Sequence, residues 1–177
     1  MTTIDVDAPA GPVQALLDVP EGSGPWPGVV LVHDAIGYGA DMRAVSRRVA
    51  AAGYLALSPN LYSRGGRARC ITRVFRELLT QRGRALEDIL AARDHLLAMP
   101  ECSGAVGIAG DRLRAAVEKH HIPHDIKVYR DAGHSFANRL PAQPLLRIAG
   151  YGYNEAATAD AWNRVFAFFA EHLRPGA

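Results

Sequence analysis

The stretch AVGIAGDRLRAAVEKHHIPHDIKVYRDAGHSFAN, from Ala105 to Asn138, most narrows what this chain can fold into. Ala105–Ala109 is a short, continuous apolar run closed by Gly110, the pattern of a strand buried on both faces. From about Asp111 to His120 the pattern turns helical, and from about Asp125 to Tyr129 it returns to a strand. His134 then falls on a loop, within Ala132-Gly133-His134-Ser135-Phe136. Strand, helix and strand in that order imply a right-handed crossover joining parallel neighbours. In open parallel sheets reactive groups collect beyond the carboxyl ends of the strands, and Gly110 and His134 both fall there.

The rest of the chain repeats this alternation. Thr2–Val6 and Val13–Val19, with Ala-Gly-Pro between them, read as an antiparallel hairpin. After the breaker-rich Glu21–Gly28, the run Val29–Val32 reads as a buried strand ending in His33-Asp34-Ala35-Ile36-Gly37. A helix over Met42–Ala52 closes on Gly53, and Tyr54–Leu57 is the next strand. Two helices follow, over Ile71–Leu79 and Ala85–Met99, the second with Leu86, Ile89, Leu90, Leu96 and Leu97 as its apolar stripe and Pro100 as its stop. An irregular segment, Leu140–Asn154, precedes a long amphipathic helix over Ala156–Leu173 carrying Trp162, Val165, Phe168 and Phe169. The expected class is α/β, a doubly wound, mostly parallel sheet in one domain, 1–177.

Composition bounds the function. A chain of 177 residues, 49% hydrophobic and 21% charged, suits one globular core. A net charge of +2 gives no reason to expect nucleic acid or an acidic membrane as partner. No apolar run approaches the roughly 20 residues that span a bilayer. The opening MTTIDVDAPAGP has neither the basic nor the apolar region of a secretory signal. Cys70 and Cys102, the only cysteines, lack metal-type spacing and fit a reducing, cytoplasmic setting. No metal and no cofactor is expected.

Three segments together resemble the dienelactone hydrolase family of the α/β-hydrolase fold. They are PGVVLVHDAIG with RAVSRRVAAAGYLALSPNLYSR (Pro27–Gly37 and Arg43–Arg64), LEDILAARDHL with VGIAG (Leu86–Gly110), and Asp111–Asn138 with the AATADAWNRVFAFFAEHL helix. The resemblance covers nearly the whole chain and implies an α/β-hydrolase-like sheet acting on a small ester or lactone. In that family a cysteine or serine nucleophile sits in G-x-C/S-x-G at a strand-to-helix turn. An aspartate follows after the next strand, and a histidine lies in a G-H-S/G-F loop. His134 matches that histidine, the catalytic base. Asp34 stands where the family carries an acid near the nucleophile, and the Ala35 N–H would supply half of the oxyanion hole. Arg64 matches an arginine that grips an anionic substrate. Asn138 occupies the place of a second such arginine, with Arg139 beside it.

The departure from the family is sharp. Gly110 aligns with the first glycine of the nucleophile turn, but Asp111-Arg112-Leu113-Arg114 follows, and the sequence holds no G-x-C-x-G or G-x-S-x-G. Likeness resumes with the helix that precedes the histidine strand. The turn, its helix, the next strand and the acid are therefore missing together between Gly110 and Asp111.

Each remaining candidate has a plainer reading. Asp111 is a replacement acid for His134 or a helix cap. Cys102 belongs to the far end of the sheet, whereas Cys70 lies on the active-site side and could be activated there or be structural. His120, His121 and His124 suggest a metal cluster, but adjacent residues diverge on a helix and Pro123 breaks the register, so a polar helix end is the better account. The seven arginines from Arg64 to Arg84 read as a solvated face, Arg64 apart. Two functions stay open: a hydrolase of small, in some cases carboxylate-bearing, esters or lactones, and a non-catalytic remnant that keeps the cleft. A strand at Ala105–Ala109 stripped of its neighbours would expose apolar surface, which predicts a homodimer.

Overall fold

The computed structural model describes residues 1–33, 37, 39–80, 83–109, 125, 127, 129, 132–133, 136–137 and 152–174, with backbone alone at 67–69, 75, 78–80 and 109. The chain divides into two compact units, Met1–Asp111 and Arg112–Ala177.

The first unit is an α/β sheet. Its elements are β1 (Thr2–Val6), β2 (Val13–Asp18), β3 (Trp26–Leu31), α1 (Ala40–Ala51), β4 (Leu55–Pro59), α2 (Gly66–Thr80), α3 (Arg84–Ala98) and β5 (Cys102–Ala109). The strands form one sheet in the order β1-β2-β4-β3-β5. β3 runs parallel to β4 and β5, while β2 pairs antiparallel with both β1 and β4. The opening hairpin is thus built onto a parallel centre, in the register Val6↔Val13 and Ala15↔Pro59.

β3 and β4 are buried on both faces, as their unbroken apolar runs required. β5 begins three residues earlier than Ala105, and a bulge explains why the apolar run missed it. Trp26 pairs with Cys102 but Gly28 pairs with Val106, so four steps of β5 oppose two of β3. Pro27 has no N–H for a regular ladder, and Gly104, at φ 87°, takes the left-handed turn that absorbs the extra residues.

Successive crossovers run in opposite directions, from β3 to β4 through α1 and then from β4 back past β3 to β5 through α2 and α3. Right-handedness places the two sets of helices on opposite faces. On the α3 face, Ala85, Ile89, Ala92 and Leu96 pack with Val30, Leu55 and Leu57 of the sheet and with Val6, Val13 and Ala15 of the hairpin. The expected stripe is corrected here, because Leu90 and Leu97 are exposed while Ala85 and Ala92 face the sheet. Gly28 of β3 makes room for this packing: a Cβ there would lie 3.2 Å from Leu96 Cδ1 and 3.0 Å from Val106 Cγ2.

The second unit is described through α4 (Glu155–Leu173) and the residues held to it. Asn154 caps α4, its Oδ1 accepting the Ala157 N–H at 3.0 Å. Ala157, Thr158, Phe169 and Leu173 are its buried residues. The helix expected over Asp111–His120, with its histidines, lies outside the described residues; of the strand expected over Asp125–Tyr129, Asp125, Lys127 and Tyr129 are described, and none of the three is in a strand.

Candidate functional site

Because β4, β3 and β5 are parallel, the chain leaves all three at the same edge of the sheet. β4 lies on one side of β3 and β5 on the other, so the strand order reverses between the carboxyl ends of β3 and β5. That is where open α/β sheets place their ligands. The residues that follow β3 there are Val32, His33 and, further on, Gly37, whose positive φ of 87° turns the chain toward α1. Asp34, Ala35, Gly110, Asp111, His134, Ser135 and Asn138 lie outside the described residues.

His33 is a positioning residue that the pattern of apolar runs does not single out. It is buried, and its Nε2 accepts the backbone N–H of Leu61 at 3.1 Å. An accepting Nε2 places the ring proton on Nδ1. The imidazole also sits 4.7 Å, centroid to centroid, from the Tyr62 ring. Beneath it, Ser58 Oγ donates to the Leu31 carbonyl at 3.1 Å. The ends of β3 and β4 and the loops leaving them are therefore locked together at the carboxyl edge of the sheet. The available signal was position, since His33 directly precedes the candidate acid Asp34.

Arg64, also on the loop after β4, is engaged within the protein. Its Nη1 and Nη2 donate to Asp88 Oδ2 and Oδ1, each at 2.9 Å. Its Nε donates to the Pro12 carbonyl at 3.1 Å, and Nη2 also reaches the Gly11 carbonyl. The guanidinium thus joins the β1–β2 turn to α3. Cys70 is buried in the hydrophobic core with Val74 and Ile89, and its Sγ accepts from Arg73 Nη2 at 3.2 Å.

In the second unit, the residues on both sides of His134 in sequence are tied down. The Ala132 N–H donates to the Tyr129 carbonyl at 3.2 Å. The Phe136 carbonyl accepts from the Asn154 N–H and from Thr158 Oγ1, both at 2.9 Å. Tyr129 and Phe136 place their rings 5.0 Å apart. Asp160 of α4 accepts from Tyr129 OH at 2.5 Å and from Lys127 Nζ at 2.8 Å, and Arg164 pairs with Asp125. Burial, reinforced by the Asp160 carboxylate, pushes the Tyr129 phenol up to about 12. The Lys127 and Tyr129 hydrogen bonds hold Asp160 below the ordinary carboxylate range. Among the described residues, no group of three His, Cys, Asp or Glu side chains is placed to hold a metal ion, and no helix is long and apolar enough to cross a membrane.

Comparison with known proteins gives this sheet its relatives. A putative carboxymethylenebutenolidase of Methylorubrum extorquens is 34% identical over 64 residues, a stretch covering 36% of this chain and only 22% of that relative. The solved structure of m3DLH superposes with a TM-score of 0.76 at 18% identity, covering 98% of each chain. A dienelactone hydrolase-like promiscuous phosphotriesterase from metagenomic libraries gives 0.73 at 21% identity, over 98% of this chain and 99% of its own. A putative dienelactone hydrolase from Klebsiella pneumoniae gives 0.66 at 19%, over 96% and 98%. At these identities the superpositions establish the fold. The sequence model of the dienelactone hydrolase family matches residues 13–111 and again 109–173, two stretches that meet where the nucleophile turn is missing. Matched on both sides of that junction, from the second strand of the sheet to the end of the last helix, the chain belongs to the dienelactone hydrolase family.

Proposed function

We propose that the protein hydrolyses a small ester or lactone at the carboxyl edge of its sheet, and that water is its nucleophile. The observation that carries this reading is the pair of family matches flanking Gly110-Asp111. The β3 loop and the histidine loop are both retained, while the residues that would carry a serine or cysteine are not. In the proposed step His134 takes a proton from water, and the water oxygen forms a bond to the carbonyl carbon. The Ala35 N–H holds the oxyanion. The tetrahedral species collapses with cleavage of the carbon–oxygen ester bond, and the departing alkoxide recovers the proton from His134. Asp34, the acid that the family resemblance puts near the reacting centre, and Asn138, a substrate contact by the same resemblance, complete the set.

Without a covalent nucleophile the acceleration rests on the base, the oxyanion donor and binding. Enzymes reduced to the latter two retain on the order of 10³–10⁴-fold over water. A second reading, a non-catalytic protein that keeps the cleft, is favoured by the same Gly110-Asp111 junction. Hydrolysis of p-nitrophenyl acetate separates the two. The hydrolase reading expects saturable turnover that His134→Ala abolishes. Unsaturable turnover indifferent to His134→Ala would leave the non-catalytic reading standing.

A further inference from the structure

A guanidinium can face a substrate carboxylate or a buried aspartate, and in this chain Arg64 faces the aspartate. Both of its terminal nitrogens lie 2.9 Å from the Asp88 carboxylate, and two backbone carbonyls of the β1–β2 turn take further N–H groups. Four of the five donors of an arginine are thereby directed into the protein. The Asp88 side chain is 5% exposed and that of Arg64 20%. For Arg64 to swing toward an anionic substrate it would have to strand a buried, charged carboxylate. Such a rupture costs more than an incoming carboxylate, itself stripped of water, returns. The open cleft of about 440 Å³ beside Arg64 is also lined by Asp5, Gln14, Asn60 and Ser63. With Arg64 neutralised by Asp88, Asp5 leaves that cleft with a net negative charge, which repels anions.

We propose that Arg64 and Asp88 form a neutral internal tie, fastening the β1–β2 turn to α3, and that this tie makes the protein selective for uncharged esters or lactones over carboxylate-bearing ones. The selectivity rests on the hydrolase reading; the tie does not.

Two esters of equal length test the selectivity: p-nitrophenyl hexanoate and the mono-p-nitrophenyl ester of adipic acid, which differ by a methyl against a carboxylate at the far end. The unmodified chain is expected to favour the hexanoate in kcat/KM by at least about tenfold. Asp88→Asn, which frees the guanidinium, shifts the ratio toward the adipate ester by about tenfold. Arg64→Met lowers kcat/KM for both esters by the same factor. Preference of the unmodified chain for the adipate ester, or a loss in Arg64→Met confined to that ester, would overturn the proposal.

The tie has its own readout, independent of turnover. Denaturation midpoints of Arg64→Met, Asp88→Asn and the double variant should show the double falling no further than the worse single. Additive losses would refute the tie. Were neither ester hydrolysed, the hydrolase reading would fall, while these midpoints would still decide the tie. Calorimetric binding of hexanamide against adipic acid monoamide would then decide the charge preference by the same tenfold criterion.

Discussion

Two side chains set the local order of the candidate site, and each can be tested alone. His33 accepts an N–H that is buried with it, so His33→Phe keeps an aromatic neighbour for Tyr62 but orphans the Leu61 N–H. An unsatisfied buried donor costs about 1–3 kcal/mol, and chemical denaturation should show a loss of that order; a variant as stable as the parent would remove His33 from this role. Tyr129 is held neutral by burial and by Asp160, at about 12 against an ordinary 10.0. A raised folded value contributes stability that is complete below pH 10 and is lost as pH climbs toward 12. Asp160 behaves oppositely, its contribution disappearing as pH falls through its lowered value. The difference in tyrosine absorbance between the chain and Tyr129→Phe should therefore titrate near 12, and Asp160→Asn should bring it part of the way back. A midpoint unmoved by Asp160→Asn would break the link between that loop and α4.

At the scale of elements, the phase of α3 is the feature on which hydrophobic pattern and structure diverge. Pattern alone put Leu90 and Leu97 inward because leucine outweighs alanine, yet both are exposed and Leu96 is buried. Leu96→Ala should cost about 2–5 kcal/mol, and Leu97→Ala about 0.5 kcal/mol or less, read from urea midpoints; equal losses would restore the leucine stripe. β3 and β4 were legible because burial on both faces leaves little room for polar residues, and α1 and α4 because caps and amphipathic spacing mark their ends. The start of β5 was hidden by the Gly104 bulge. Asp88 was equally hidden: its partner lies 24 positions away on another element, and Asp88 alone looks like an ordinary surface charge. Periodicity reports which face of a helix is apolar, but a buried ion pair becomes visible only once the elements are docked.

For the whole molecule, the junction at Gly110-Asp111 organises the account. The two family matches meet there, the two compact units divide just after it, between Asp111 and Arg112, and the sequence lacks the nucleophile turn there. Among the described strands β5 lies at the sheet edge, with Ile108 36% exposed. An apolar residue open on an edge strand favours pairing with a second copy, so sedimentation should find a dimer that Ile108→Lys converts to monomer; a monomeric parent chain would refute that assembly. A stopped-flow trace of p-nitrophenyl acetate hydrolysis by the unmodified chain and by His134→Ala tests attack by water. Attack by water predicts release of p-nitrophenol that is linear from the first turnover, saturates with ester and vanishes in His134→Ala. A stoichiometric burst would reveal an acylated side chain and contradict the account, as would turnover that neither saturates nor depends on His134.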